Sequence, residues 1–103
     1  MLVGFVVSDE SGRKLRPAVV ISSAPYHRAR PAVVVAAVTS NARRRLPGDH
    51  SVADWKGAGL LFPSVVTGVL RTITRSMIDQ RLGSLAKADL DALDRELRRA
   101  LGL

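Results

Sequence analysis

The sequence predicts a small antiparallel β-barrel, mainly β with some α, and a helix packed outside it at the C-terminal end. Two observations carry this fold class. Short β-branched runs recur at close spacing between turn residues, and a leucine stripe at helical spacing appears only near the C-terminus.

Leu2–Val7 is apolar and β-branched and reads as the first strand. "SDESGRK" follows with turn chemistry in Ser8, Asp9, Ser11 and Gly12. Pro17 has no N–H to donate and suits a strand's first position, so Ala18–Ser22 is the second strand. "SAPYHRARP" is a connection with room for one helical turn. Ala32–Thr39, "AVVVAAVT", is the longest apolar run and predicts a strand covered on both faces. "SNARRRLPG" is a basic loop, and "DHSVADW" has room for a short strand. Two further β-rich runs, Gly59–Phe62 and Ser64–Ile73, are interrupted by Pro63 and Gly68. Ser76–Leu82 fits either a helical turn or a strand.

The C-terminal helix is the plainest element. Ser84 is placed to cap it, although Lys87 stands where a capping box would carry Glu or Gln. Leu90, Leu93, Leu97 and Leu101 line one face, which reads as core. Asp89 and Asp91 fall in the first turns and Arg98 and Arg99 in the last, as the helix dipole favours. Asp94 and Arg98 make an i,i+4 pair.

A chain of 103 residues predicts one domain spanning 1–103. It is 47% hydrophobic, enough for one core and too apolar for disorder. Cysteine is absent, which excludes a disulfide scaffold and a thiolate metal site and fits a reducing compartment. No apolar run reaches the ~18 residues of a membrane span. The start, "MLVGFVVSDES", has no basic segment or cleavage pattern of a signal peptide, so the expectation is a cytoplasmic protein. Sixteen Lys and Arg against nine Asp and Glu give a net charge of +7, a surface that attracts polyanions, nucleic acid above all.

The chemistry in the sequence is limited. His27 and His50 are the only histidines, and neither sits in a ligand-spaced carboxylate cluster, so no metal and no cofactor is expected. A Walker loop, a dinucleotide glycine fingerprint and a nucleophile elbow are missing. Arginines, hydroxyls and imidazoles remain, and that set is sufficient to cleave RNA. RNA carries its own nucleophile, the 2′-OH. The protein has to orient it, stabilise charge on the phosphate and help the leaving oxygen. An arginine's planar fork donates two hydrogen bonds to a phosphate at once.

"SGRKLRPAVVISSAPYH", "VVVAAVTSNAR", "GDHSVADWKGAGLLFPSVV", "RTI" and "RLGSLAKADLDALDRELRRALGL", in that order, resemble the MazF/PemK family of toxin endoribonucleases over nearly the whole chain. The resemblance implies an SH3-like barrel of the CcdB/PemK plasmid-maintenance type. It also implies a homodimer, an antitoxin partner, and metal-independent, sequence-specific cleavage of single-stranded RNA; with the 2′-OH as nucleophile, the products are expected to carry 2′,3′-cyclic phosphate ends. The family's catalytic arginine precedes the first Pro-Ala-Val-Val, which here is Arg16; its catalytic threonine matches Thr39. Arg30 precedes the second Pro-Ala-Val-Val and matches no family site.

Around that pair, Ser40, Asn41, Arg43, Arg44 and Arg45 are candidates for a phosphate track next to Thr39. His50 is a candidate acid, base or contact to RNA, and Trp55 a stacking platform for a base. Arg71 is a further candidate, because "PSVVTGVLRTI" lacks an Asp-Gln pair that many family members carry there. The alternative keeps the barrel without the chemistry: a CcdB-like toxin acting through a protein, or a barrel that binds nucleic acid without cutting it.

Overall fold

A computed structural model describes the backbone of residues 2–9, 12–40 and 46–103, and the side chains of 15–40 and 46–103. Among the described residues six strands form one antiparallel sheet: β1 (Leu2–Asp9), β2 (Gly12–Val20), β3 (Ala32–Thr39), β4 (His50–Ser51), β5 (Val65–Thr74) and β6 (Ile78–Gly83). Their order across the sheet is β4-β5-β3-β2-β1-β6. Helix α1 (Ala24–Ala29) joins β2 to β3, a single 3-10 turn (Arg75–Met77) joins β5 to β6, and α2 (Lys87–Leu101) ends the chain. Among the described residues no helix is long and apolar enough to cross a membrane.

β3 is covered on both faces, as its unbroken apolar run predicts. Val33 and Val35 join one cluster with Ala18 and Ile73. Ala36 and Val38 join another with Val19, Val66, Leu60, Leu85 and Leu93. Alternate residues of a strand point to opposite faces, so each face takes every second Val or Ala.

Pro17 lies inside β2, which begins earlier than the sequence predicts. β1 pairs with β2 from Asp9↔Gly12 to Leu2↔Val19, whereas β3 pairs with β2 only over Ala18–Val20. Pro17 therefore sits one residue before the second ladder starts, where its missing N–H breaks no bond to β3. Gly59–Phe62 is not a strand. The chain turns over 53–59, Gly59 takes a left-handed φ of +92°, and Leu60 folds inward while Leu61 and Phe62 stay outside. The ambiguous Ser76–Leu82 divides into the end of the 3-10 turn and most of β6.

The segment after β4 carries the chain from one sheet edge to the other. Ala58 and Gly59 press against Leu82 and Gly83 of β6, so closely that a Cβ on Gly59 would meet the Leu82 carbonyl oxygen and one on Gly83 the Ala58 carbonyl oxygen. The loop that leaves one edge strand, β4, thus packs its backbone against the other edge strand, β6, at two glycines.

Helix α2 starts later than its apparent cap. Ala86 holds the cap position without a side-chain bond, and the Ser84 hydroxyl accepts from Arg81 at 2.6 Å. Gly102 ends the helix at φ +73°, its N–H reaching the carbonyls of Arg98 and Arg99. Of the leucine stripe, Leu93 is buried and Leu97 packs at the edge of the core, while Leu90 and Leu101 are exposed.

Candidate active site

A concavity of about 390 Å³ opens where β2, β3 and β6 meet the segment after β4. β2 brings Leu15, Arg16 and Pro17 to it, β3 brings Val38 and Thr39, and Ser40 follows directly after β3. Leu60, Leu61, Phe62 and Ser64 form one wall, and Gln80 and Leu82 of β6 another. Three candidates chosen from sequence, Arg16, Thr39 and Ser40, thus share one pocket although more than twenty residues separate the first two. Arg16 and Ser40 are exposed and Thr39 is half-buried.

Such a pocket can hold an anion and its apolar neighbour together. A guanidinium donates in a plane to two oxygens, and hydroxyls at the end of β3 add donors from the next strand. The rim is apolar: Leu15, Leu61 and Phe62 are 58%, 82% and 63% exposed, grouped around one mouth. Exposed apolar side chains gathered in this way mark a binding surface.

The wall is tied down by a residue that sequence reading assigned to the helix dipole. Asp89 of α2 is 2% exposed. Its Oδ1 accepts from the Ala53 N–H at 2.8 Å and from His50 Nε2 at 2.8 Å, and its Oδ2 accepts from the Asp54 N–H at 3.1 Å. A carboxylate only accepts, so the His50 proton sits on Nε2. Burial alone pushes the Asp89 carboxyl up, and the bonds from Ala53, Asp54 and His50 outweigh it, holding the group below the usual carboxylate range. This node fixes the start of the segment that ends in Leu60–Phe62.

The other candidates lie elsewhere. His50 is at the Asp89 node and is not a pocket-lining residue. Trp55 is half-buried against the core, with the Lys56 ammonium 5.4 Å from its ring centroid. Arg71 is exposed on β5 opposite Val35 and does not line the pocket. Asn41, Arg43, Arg44 and Arg45 lie outside the described residues. Among the described residues no three His, Asp or Glu side chains group as metal ligands.

Reading the sequence missed Phe62, Leu61, Gln80 and Asp89. "GLLFP" carried a signal, two large apolar residues before a proline, but it matched a strand pattern equally well. Gln80 carried none.

The whole chain has structural relatives. The Mycobacterium tuberculosis toxin MazF-mt6 superposes with a TM-score of 0.77 at 24% identity, covering 98% of this chain and 97% of that one. The MazE-MazF structure (Form-III) from Deinococcus radiodurans matches with a TM-score of 0.78 at 25% identity, covering 99% and 92%. A mycobacterial endoribonuclease in complex with its cognate antitoxin matches at 0.76 and 21% identity, covering 98% and 92%. No curated protein matches the chain in sequence. The PemK-like, MazF-like toxins of type II toxin–antitoxin systems match residues 2–101, and it is to this family that the chain belongs.

Proposed function

We propose that the chain is a toxin endoribonuclease that cuts single-stranded RNA, mRNA included, at preferred sequences, and that a cognate antitoxin neutralises it. The carrying observation is that Arg16, Thr39 and Ser40 line one pocket of a chain with net charge +7. Membership of the toxin family supports the reading, as does the likeness to a MazE-MazF structure at 25% identity.

In this reading the substrate's 2′-OH attacks phosphorus and gives its proton to solvent, the bond from phosphorus to the 5′ oxygen breaks, and that oxygen takes a proton from solvent as the 2′,3′-cyclic phosphate forms. Arg16 donates to the non-bridging oxygens as charge builds on them. A guanidinium has donors and no acceptor, so Arg16 serves as a charge stabiliser rather than as a base. Thr39 at the end of β3 and Ser40 just after it add hydroxyl donors. A deoxy substitution at the cut removes the nucleophile.

The test is incubation with a long single-stranded RNA in EDTA, followed by end mapping. Cleavage with cyclic phosphate ends, and survival of a strand carrying one 2′-deoxy residue at the cut, is the expected result. Equal cleavage of the deoxy strand would rule out this mechanism. Binding without cleavage would favour the non-catalytic barrel. The active species in this reading is a homodimer, and sedimentation at tens of micromolar checks it.

A further inference from the structure

β3 changes neighbours along its length. It pairs with β2 from Val35↔Val20 to Ala37↔Ala18 and no further, although the same register carried on would set Thr39 opposite Arg16. Beyond Ala37 its ladder continues with β5, at Val38↔Val66 and Thr39↔Val65. The pocket lies between the parted strands, with Arg16 and Pro17 on one side and Val38 and Thr39 on the other. Ala37 is thus the point where β3 leaves β2.

β5 is irregular at that same point. Between Ala36↔Leu70 and Val38↔Val66, β3 has one residue, Ala37, and β5 has three, Thr67, Gly68 and Val69. Such a bulge takes groups out of the regular ladder and bends the strand. The Ala37 carbonyl accepts from the Thr67 hydroxyl at 2.8 Å, and the Thr67 Oγ1 in turn accepts from the Val69 N–H at 3.2 Å. The Gly68 N–H is given to Asp49 Oδ1 at 2.9 Å. Gly48 packs against Gly68 there, and a Cβ on Gly68 would stand 3.2 Å from the Pro47 carbonyl oxygen. One hydroxyl therefore closes the bulge toward β3, and packed main chain backs it from behind.

We propose that Thr67 positions the end of β3 for cleavage: its hydroxyl, through the Ala37 carbonyl, fixes where β3 parts from β2 and so how far Thr39 and Ser40 stand from Arg16. This rests on the endoribonuclease reading above. Thr67 does not line the pocket and acts through Ala37. The bulge needs a donor and an acceptor on one atom, which a hydroxyl supplies. Valine has the same shape and neither group, so it leaves a carbonyl and an N–H unpaired.

The experiment compares the full chain as wild type, Thr67→Val, Thr67→Ser and Ser22→Ala. Ser22 is the control, because it accepts from the Val34 N–H at 3.0 Å near the other end of the same strand. Single-turnover cleavage of a short RNA is followed against protein concentration, with thermal melting beside it. Thr67→Val is expected to melt lower and to cut about tenfold more slowly at saturation, inside the ~10²-fold that a misplacement of ~1 Å can cost. Half-saturation should stay within about twofold, since the groups that bind RNA are all present. Thr67→Ser keeps the donor and the acceptor and is expected to cut within about twofold of wild type. Ser22→Ala is expected to melt lower as well and to keep its rate. A loss of stability by itself would slow both variants alike.

Amide NMR reads the geometry apart from the chemistry. The Val38, Thr39 and Ser40 resonances are expected to move in Thr67→Val and to hold in Ser22→Ala. A folded Thr67→Val with the wild-type rate, a Thr67→Ser as slow as Thr67→Val, equal slowing in Ser22→Ala, or unmoved resonances overturns the proposal and leaves the endoribonuclease standing. If Thr67→Val does not fold, Thr67→Cys, whose thiol is a weaker donor, takes its place, and a wild-type rate in that variant overturns it. If the wild type cuts no RNA, the endoribonuclease reading fails instead, and the resonances decide whether Thr67 sets the end of β3.

Discussion

Arg16 and Arg30 open the same five residues, Arg-Pro-Ala-Val-Val, and the fold uses them differently. Arg16 is inside β2, beside the end of β3 and the wall built by residues 60–64, and lines the pocket. Arg30 is outside β3, at the C-cap of α1. Its guanidinium lies 5.8 Å from the Tyr26 ring, and its carbonyl accepts from Arg75 at 3.1 Å. Around it, Ser22 accepts from the Val34 N–H and hydrogen-bonds His27 at 2.6 Å, so the neighbourhood is a connector between strands. Matched local sequences acquire different roles because a site needs walls from elsewhere in the chain. Three segments meet at Arg16, whereas α1 and the start of the 3-10 turn meet at Arg30.

The sharpest way to break the comparison is to remove each arginine. Arg16→Ala is expected to slow single-turnover cleavage of a short RNA by roughly 10²-fold or more, the scale of one preorganised transition-state donor. Circular dichroism should be unchanged, since the side chain is exposed. Equal losses in Arg16→Ala and Arg30→Ala would mean that general electrostatics had been taken for a site.

The wall offers the second test. Asp89→Asn keeps the shape but turns an N–H donor toward a group that needs an acceptor. The expected cost is about 1–3 kcal/mol of stability, read from denaturant unfolding, with cleavage about tenfold slower as Leu60–Phe62 lose their support. The pH dependence sharpens it. Asp89 has a lowered pKa when folded, so its contribution is present above the unfolded value of about 3.9 and is lost as pH falls through the lower folded value. Wild type should therefore lose more stability than Asp89→Asn on acidification below about pH 4. Parallel acid curves for the two proteins would count against the node.

Smallest of the set is Arg30→Ala itself. Its exposed guanidinium engages the Tyr26 ring face, a contact of about 0.5–1 kcal/mol at such a position. Cleavage within about twofold of wild type is expected, with a slightly lower melting temperature. A further drop with falling ionic strength would show long-range attraction instead, since salt screens it.

Local pattern was sufficient for much of this molecule. β1, β3, β5 and α2 were legible because periodicity and β-branching are written within a few neighbouring residues. The choice of Arg16 and Thr39 as candidates came from the family resemblance that ordered motifs along the chain carry. Tertiary structure decided what contiguity cannot encode. Asp89 looked like a first-turn acid and is a buried anchor, because its partners lie 35 to 39 residues away in sequence. "GLLF" has the composition of a strand, yet Gly59 packs against β6, Leu60 turns inward and Phe62 is left at the pocket mouth. His50 and Trp55 face the helix and the core for the same reason. Burial is a property of which surfaces meet, and the packing of the loop after β4 against β6 and α2, which no short stretch specifies, determines that meeting.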